Sequence, residues 1–297
     1  MSDTVSDALV DTGWLHARLG GGDLLVFDST TDIVLDAGGH EVVTPARAAF
    51  HAGHIPGARF LDLQADLSEP GAPYPFTAPT AATLQAALRR LGVGARHAIV
   101  VYSSGKPWWA TRVWWLLRGF GLRQVHVLDG GLAAWKRAGF ALEAGAGLDW
   151  QPGDVTLGDA RPGLVDADTL HARLGDPTLR LVNALPPDKF DGRTAVHGGR
   201  PGHIPGSVNL PAASLLDPAT GRLLPAEALR PRLQAAGLLD PGTDVVAYCG
   251  GGISATLVLL ALAQAGRADA CLYDASLYEW GHRVDLPIAT GPAAVPA

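Results

Sequence analysis

Cys249 is the residue of this chain whose surroundings are best suited to chemistry. It follows the apolar run Val245–Tyr248 and precedes three consecutive glycines, 250–252, after which an apolar stretch of helical length begins. A strand, a tight turn and a helix start in that order direct backbone N–H groups and the positive end of the helix dipole at the sulfur, which favours the reactive thiolate. A buried structural cysteine is the alternative. The three glycines make a purely structural cysteine less favoured, because glycines cost backbone entropy and are typical of sites where the backbone closely approaches a ligand.

Length and composition limit the class of protein. A chain of 297 residues suits two domains, and a net charge of -6 without a basic block predicts no nucleic-acid partner. The polar start Met1–Asp7 is no secretory signal, and the most apolar window, 253–265, is too short to cross a membrane. With only two cysteines and no Cys/His cluster, we expect no disulfide framework, no metal and no other cofactor. These features together predict a cytoplasmic protein.

Internal repeats show that the chain is a tandem duplication. The segment Gly-His-Ile-Pro-Gly at 53–57 recurs at 202–206. Two more landmarks recur in the same order at nearly the same offset. They are an apolar strand that ends at Ser103 in one copy and at Cys249 in the other, and a turn that contains Asp129 or Asp274. The period is too long for a solenoid, so we predict two domains.

Strands alternate with helices in each copy, which predicts an α/β fold with a mainly parallel sheet and helices on both faces. In the first copy the predicted strands are 24–28, 58–63, 97–102 and 124–128, and the predicted helices are 83–91, 109–118 and 132–138. Ligands of such sheets bind beyond the carboxyl ends of the strands, where Cys249 lies. We predict domains at 8–143 and 164–292, joined by a linker at 144–163 that is rich in Gly, Asp and Pro.

These motifs resemble the tandem-domain rhodanese family of sulfurtransferases. The resemblance runs from Leu24 to Leu286 and depends on four features: both Gly-His-Ile-Pro-Gly turns, the segment 112–118, the turn 129–131 and the loop 249–256. It implies two tandem rhodanese-like domains, of which the second is catalytic. The first is then a non-catalytic copy, since Ser103 replaces the cysteine and the segment 106–109 interrupts the glycine loop.

The chemistry that the resemblance implies is sulfur transfer through Cys249. Its thiolate attacks the sulfane sulfur of thiosulfate or 3-mercaptopyruvate, and the resulting persulfide passes that sulfur to cyanide or a small thiol. The loop that holds the terminal sulfur consists of Gly250, Gly251, Gly252, Ile253 and Ser254. A hydroxyl of Ser254 or Thr256 either adds a hydrogen bond to the sulfur or caps the helix, and the sequence leaves both roles open.

The chain departs from the family pattern where the donor anion is expected to bind. The glycine loop carries no cation, Asp191 stands where an arginine is usual, and Gln64 replaces the second residue of an acidic pair. The donor-binding candidates are therefore other residues: Arg200, Arg193 and His197 before the second Gly-His-Ile-Pro-Gly turn, and Asp62, Lys106 and Trp108 in the first domain. We rank Arg200 first because the adjacent turn fixes it near the strand end.

Other conspicuous residues have structural interpretations. His54 and His203 recur in both copies, including the copy without a cysteine, which indicates a structural role. Trp114 and Trp115 are expected in the core. Trp109 is a further candidate to close the cleft together with Lys106 and Trp108. Cys271 begins a strand and is expected to be buried and unreactive.

Three alternative functions are compatible with parts of the sequence. A phosphatase also uses a cysteine in a strand–loop–helix motif, but it needs an arginine at the end of the loop, and residues 250–262 contain neither arginine nor lysine. A sulfur-carrier or binding module without catalysis conflicts with an intact Cys249 loop. An enzyme that prefers 3-mercaptopyruvate to thiosulfate stays open.

Overall fold

The structure, a computed structural model, describes residues 8–35, 41–147, 150–158, 160 and 163–292. They form two compact units. The first takes its residues from 1–71, 78–161 and 218–222, and the second takes its residues from 72–77, 162–217 and 223–297. None of the described helices is both long and apolar enough to cross a membrane.

The first unit contains a five-stranded parallel sheet and a separate hairpin. The strands along the chain are β1 (Leu9–Val10), β2 (Leu24–Asp28), β3 (Thr31–Leu35), β4 (Glu41–Pro45), β5 (Arg59–Phe60), β6 (Ala98–Tyr102) and β7 (Val125–Leu128). The sheet order is β1-β7-β6-β2-β5, with every pair parallel, whereas β3 and β4 form an antiparallel hairpin. The continuous apolar runs of β2 and β6 place these strands in the middle, where both faces are buried.

Helices cover this sheet. They are α1 (Thr12–His16), α2 (Arg47–Ala52), α3 (Leu63–Asp66), α4 (Ala81–Arg90), α5 (Trp108–Gly119) and α6 (Gly131–Arg137). The hydroxyl of Thr80 caps α4 by accepting from the N–H of Thr83 at 3.2 Å. Residues 109–117 of α5 are all buried, and this helix packs on β6 and β7. Trp114 and Trp115 are thus core residues, as predicted, and Trp109 is buried with them.

The second unit repeats the same plan. Its strands are β8 (Leu164–Val165), β9 (Leu179–Asn183), β10 (Ser207–Asn209), β11 (Asp244–Tyr248) and β12 (Cys271–Tyr273). Its helices are α7 (Ala167–Ala172), α8 (Pro187–Phe190), a 3-10 helix (Ala212–Leu215), α9 (Ala226–Ala235), α10 (Ala255–Gln264) and α11 (Ser276–Trp280). The sheet order β10-β9-β11-β12-β8 places β11 in the centre, and every pair is parallel.

Both Gly-His-Ile-Pro-Gly turns make the same contacts in their own units. Nδ1 of His54 lies 2.8 Å from the carbonyl oxygen of Phe50, and the two rings stack. His203 repeats both contacts with Phe190, at 2.9 Å. The next residue, Ile55 or Ile204, donates its N–H to the hydroxyl of a buried tyrosine at the end of the central strand. The same contacts in both copies support the structural role that the sequence indicates for these histidines.

The predicted fold class is confirmed, and the predicted strands and helices of the first copy lie within a few residues of the observed ones. Short edge strands β1 and β8 and the hairpin of β3 and β4 were not predicted. Two segments also group with the other half of the chain: 72–77 with the second unit and 218–222 with the first. The predicted domains, 8–143 and 164–292, left each of these segments in its own half of the chain, and the boundaries stay a prediction.

A buried carboxyl at the end of β2 distinguishes the two copies. Asp28 accepts hydrogen bonds from the N–H of Thr30, at 2.9 Å, and from its hydroxyl. Burial raises the pKa of Asp28 above 3.8, although these bonds act in the opposite direction. In the second sheet the corresponding strand β9 ends at Asn183, whose Oδ1 accepts from the N–H of Leu185 at 2.8 Å.

The variant Asp28→Asn is expected to change how stability depends on pH. Because its pKa is raised on folding, Asp28 binds its proton more tightly in the folded state, so its contribution falls as pH rises from about 3.8 through the folded-state pKa. The Tm of the variant minus that of the wild type should therefore increase by a few degrees between pH 4 and pH 8. A Tm difference that stays constant over this range would contradict this account of Asp28.

Candidate active site

Cys249 lies at the carboxyl end of the central strand of the second sheet. It directly follows β11, between β9 and β12, and only 2% of the residue is exposed. Its carbonyl oxygen accepts from the N–H of Leu277 at 3.2 Å, and that of Gly250 accepts from the N–H of Tyr278 at 2.8 Å. The start of α11 therefore fixes the backbone that leaves Cys249.

Two physical reasons account for the three glycines after Cys249. A Cβ on Gly250 would lie 2.8 Å from Nε2 of His197, and one on Gly251 would lie 3.2 Å from the ring of Tyr278. Gly252 has a φ of 69°, in the left-handed region that side chains rarely adopt. Two positions are glycine because of close neighbours, and the third is glycine because of its backbone.

The hydroxyl of Ser276 forms hydrogen bonds with two backbone N–H groups of the Cys249 loop. It accepts from the N–H of Cys249 at 3.0 Å and from the N–H of Gly252 at 3.2 Å, and it donates to the carbonyl oxygen of Tyr273 at 2.8 Å. Ser276 is fully buried and has a φ of 52°. At the corresponding place in the first unit stands Gly131, with a φ of 53°, where a Cβ would collide with the carbonyl oxygen of Ser103.

Four other amides of the loop point to an anion site. Within the described part of the chain, no acceptor binds the N–H groups of Gly250, Gly251, Ile253 and Ser254. They precede α10, a helix of ten residues that starts at Ala255. Unpaired amides at the start of a helix attract negative charge, because they combine hydrogen-bond donors with the positive end of the helix dipole. This arrangement of amides beside Cys249 can bind a small anion.

The two hydroxyl groups near the start of α10 differ. Ser254 makes no side-chain capping bond to the helix. Thr256 donates its hydroxyl to the carbonyl oxygen of Ile253 at 2.7 Å. The capping interpretation that the sequence left open for Ser254 is therefore wrong, and Thr256 stabilises the turn into the helix.

An aromatic pair covers one side of the loop. The imidazole of His197 stacks on the ring of Tyr278, with centroids 3.9 Å apart and planes 14° apart. His197 is exposed and has a φ of 51°. Its Nε2 faces Gly250, so this donor-binding candidate lies directly against the Cys249 loop.

The two arginines predicted for the same region are occupied elsewhere. Arg200 donates from its guanidinium to the carbonyl oxygens of Trp280, Gly281, Arg283 and Leu286, at 2.6 to 3.3 Å. It thereby fixes the chain that follows α11. Arg193 is exposed and pairs with Asp191 at 3.3 Å. The ranking of Arg200 as the first donor-binding candidate therefore has no support in its contacts, and its role toward a donor stays a prediction.

The first-unit candidates have partners within their own unit. Asp62 caps α3 by accepting from the N–H of Ala65 at 3.1 Å, and it lies 3.6 Å from the guanidinium of Arg47. The Lys106 ammonium lies 5.9 Å from the centre of the Trp108 ring. The hydroxyl of Ser103 donates to the carbonyl oxygen of Lys106 at 2.8 Å. These contacts of Ser103, Lys106 and Trp108 are thus made within the loop that follows the central strand of the first unit.

Cys271, the second cysteine, is half-buried at the start of β12. Burial and the neighbouring carboxylates of Asp269 and Asp244 raise the pKa of its thiol. A raised pKa leaves the thiol protonated at neutral pH, which agrees with the unreactive character expected for it. Among the described residues, no group of three or more His, Cys, Asp and Glu side chains is arranged to hold a metal ion.

Ser276 and Tyr278 are the site residues that sequence reasoning missed. The only signal was the repeat itself, because the first copy reads Asp-Gly-Gly-Leu at 129–132 and the second reads Asp-Ala-Ser-Leu at 274–277. A serine in place of a glycine at a position with positive φ is strained, and it is retained only where the surrounding structure favours it. That substitution could have indicated a hydroxyl with a partner.

Known proteins with similar sequences and structures match nearly the whole chain. The rhodanese-like domain family matches residues 11–138 and 166–283. A Pseudomonas aeruginosa protein named "Probable 3-mercaptopyruvate sulfurtransferase" is 38% identical over 290 residues, which cover 96% of this chain and 99% of that protein. An Arabidopsis thaliana protein named thiosulfate/3-mercaptopyruvate sulfurtransferase 1, mitochondrial, is 32% identical and covers 97% of this chain and 79% of its own length.

A solved structure agrees with these sequence relatives. The crystal structure of SseA from Escherichia coli, a 3-mercaptopyruvate sulfotransferase, superposes with a TM-score of 0.78 at 31% identity. The match covers 91% of this chain and 98% of that one.

Ser276→Ala is expected to destabilise the second unit and to disorder the Cys249 loop. It leaves the buried N–H groups of Cys249 and Gly252 without their acceptor, at a cost of about 1–3 kcal/mol. The free energy of unfolding and the rate of Cys249 alkylation by iodoacetamide measure both effects. Ser214→Ala is the control, because that hydroxyl donates only to the carbonyl oxygen of Pro211. Equal effects of the two variants would show that Ser276 has no special role.

Arg200→Ala is expected to lower stability more than it changes donor binding. The variant removes hydrogen bonds from a charged group to carbonyl oxygens around the end of α11, and such bonds contribute about 1.5–3 kcal/mol each. Arg193→Ala is the control and should change Tm little, since its ion pair is exposed. A donor KM that rises by tenfold or more in Arg200→Ala, with Tm unchanged, would instead assign this arginine to the donor.

Proposed function

This chain belongs to the rhodanese family of sulfurtransferases, and on that premise we propose that Cys249 is the nucleophile that carries the sulfur. The observation that carries this proposal is the loop itself. Cys249 directly follows the central strand, and after it come four amides for which the described residues provide no acceptor, just before α10. The copy with Ser103 has no such loop, so only the second unit is proposed to react.

The reaction proceeds in two half-reactions in which electrons and atoms balance. The Cys249 thiolate attacks the transferable sulfur of the donor, which is the outer sulfur of thiosulfate or the thiol sulfur of 3-mercaptopyruvate, and forms an S–S bond. With thiosulfate, the donor's S–S bond breaks and sulfite leaves with the bonding pair. With 3-mercaptopyruvate, the C–S bond breaks and the resulting enolate takes up a proton to give pyruvate. Cyanide or a thiolate then attacks the terminal sulfur and restores the Cys249 thiolate, which predicts ping-pong kinetics.

The loop stabilises the intermediate electrostatically. The terminal sulfur of a persulfide carries negative charge, and the N–H groups of Gly250, Gly251, Ile253 and Ser254 are its proposed donors, with the loop closed by Gly252. Because the bonds from α11 hold the loop in place before the donor arrives, little reorganisation accompanies the reaction.

The donor class is a small anion with a transferable sulfur, either thiosulfate or 3-mercaptopyruvate. A preference for 3-mercaptopyruvate is the second candidate, favoured by the lack of a cation at positions 250 and 251 and by the names of several relatives. Arg200, Arg193, His197, Asp62, Lys106 and Trp108 stay proposed donor-binding residues. On present contacts we place His197 first among them.

The remaining features of the proposal concern the setting of the enzyme. We place it in the cytoplasm, with the donor and the acceptor as its partners and no nucleic acid. The supporting observations are two cysteines, neither of them in a disulfide, and a net charge of -6. The proposed domain boundaries are 8–143 and 164–292.

Incubation with thiosulfate or 3-mercaptopyruvate is expected to add one sulfur atom to the protein. Intact mass measures the adduct, and subsequent cyanide should remove it with release of thiocyanate. Cys249→Ser should form no adduct, whereas the control Cys271→Ser should form it fully. An adduct that survives in Cys249→Ser, or none with either donor in the wild type, would refute the proposed nucleophile. The ratio of kcat/KM for the two donors decides between the two donor preferences.

A further inference from the structure

The position of His197 over the Cys249 loop is fixed from two sides. Its ring stacks on Tyr278, and the N–H of Tyr278 is bound to the carbonyl oxygen of Gly250 at 2.8 Å. Its own backbone adopts a φ of 51°, which a residue other than glycine adopts only when its surroundings favour it. The stacked pair is therefore attached to the loop that carries the proposed nucleophile.

Gly250 shows how closely the imidazole approaches the loop. A Cβ at this position would lie 2.8 Å from Nε2 of His197 and 3.2 Å from Cγ1 of Val196. The φ of Gly250 is not in the left-handed region, so backbone conformation does not require glycine here. The space that a side chain at position 250 would need is the space that His197 and Val196 occupy.

His197 also has the chemistry that an anionic donor needs. The residue is exposed, so a small molecule can reach it, and its Nε2 faces the first residue after Cys249. A protonated imidazole donates from both ring nitrogens, and the neutral Nε2 tautomer donates from the nitrogen that faces the loop. By contrast, the guanidinium of Arg200 is bound to backbone carbonyls and that of Arg193 is paired with Asp191.

We propose that the stacked pair His197–Tyr278 selects the sulfur donor: the imidazole of His197 binds the donor's anionic group, and Tyr278 holds the ring in place. Position 250 is glycine because this pair takes the place of a side chain from the loop. The assignment rests on the proposed function of Cys249. It identifies a specificity-determining residue, with a sulfonate-like or carboxylate group as its ligand.

The first experiment separates donor binding from the chemistry of Cys249. Steady-state kinetics with cyanide as acceptor are measured for wild type, His197→Ala, His197→Gln and the control His171→Ala. His171 lies on α7 of the same unit, and its ring contacts Trp280. Loss of a hydrogen bond to a charged ligand should raise the donor KM about tenfold in His197→Ala, with kcat reduced less than about threefold.

The variants and donors have distinct expected outcomes. Gln at position 197 places an N–H near that of Nε2, so it should recover part of the donor affinity. The donor KM of His171→Ala should equal that of the wild type. The KM for cyanide should be the same in all variants. A rise with both donors shows that the imidazole binds the sulfonate-like group of thiosulfate and also the carboxylate of 3-mercaptopyruvate. A rise with one donor assigns it to that donor's group. An unchanged donor KM in His197→Ala overturns the proposal.

A double-mutant cycle tests the link between His197 and Gly250. Gly250→Ala should displace the imidazole and raise the donor KM by a factor similar to that of His197→Ala. In the His197→Ala background, Gly250→Ala should then add less than about twofold, because the displaced group is already absent. If the two increases in donor KM multiply in the double variant, the two positions act independently. That result would overturn the proposal that His197 occupies the space of a side chain at position 250.

Intact mass measured over a range of donor concentrations, up to saturation, distinguishes this proposal from the proposed function. If His197 binds the donor, its variants still gain one sulfur atom, but at a higher donor concentration. If the wild type gains none with either donor, the nucleophile itself is wrong. If all variants gain it with the same concentration dependence, Cys249 reacts as proposed and His197 has no part in donor selection.

Discussion

The hydrogen bonds between the start of α11 and the Cys249 loop are the constraint on which the site depends. Ser276 accepts from the N–H groups of Cys249 and Gly252, and Leu277 and Tyr278 donate to the carbonyl oxygens of Cys249 and Gly250. These bonds occupy the N–H groups of Cys249 and Gly252 and the carbonyl oxygens of Cys249 and Gly250. The amides of Gly250, Gly251, Ile253 and Ser254 remain for an anion, since the described residues give them no acceptor. A loop fixed in this way is preorganised for negative charge on sulfur.

The first unit has the same sheet and turns as the second but carries Ser103 in place of the cysteine. In both units a tyrosine at the end of the central strand binds the Gly-His-Ile-Pro-Gly turn through its hydroxyl. In the first unit, however, the N–H of Ser104 is bound to the hydroxyl of Thr30, and the hydroxyl of Ser103 is bound to the carbonyl oxygen of Lys106. The N–H of Ser104 corresponds to that of Gly250, which has no acceptor among the described residues of the second copy. The sheet and its turns are thus common to both copies, and the copies differ in the residue and the loop that follow the central strand.

The glycines of the loop connect its shape to its surroundings. Gly252 has a left-handed backbone, whereas a Cβ on Gly250 or Gly251 would crowd the ring of His197 or Tyr278. Gly250 and Gly251 place no side chain of the loop directly after Cys249. The exposed imidazole of His197 lies against Gly250, whereas the guanidinium of Arg200 binds carbonyl oxygens of the chain that follows α11.

The sequence by itself determined the fold class, the duplication and the position of Cys249. These features follow from local patterns, since apolar runs, turn residues and the cysteine before three glycines lie within a few residues of one another. Tertiary structure alone decided the partners. Ser276 lies 27 residues from Cys249, and Arg200 reaches a carbonyl 81 residues away. Nothing local distinguishes a hydroxyl that holds a loop from one in solvent, or an arginine that binds a donor from one that binds backbone. The folded chain decided both, because only folding sets which groups lie within hydrogen-bond distance.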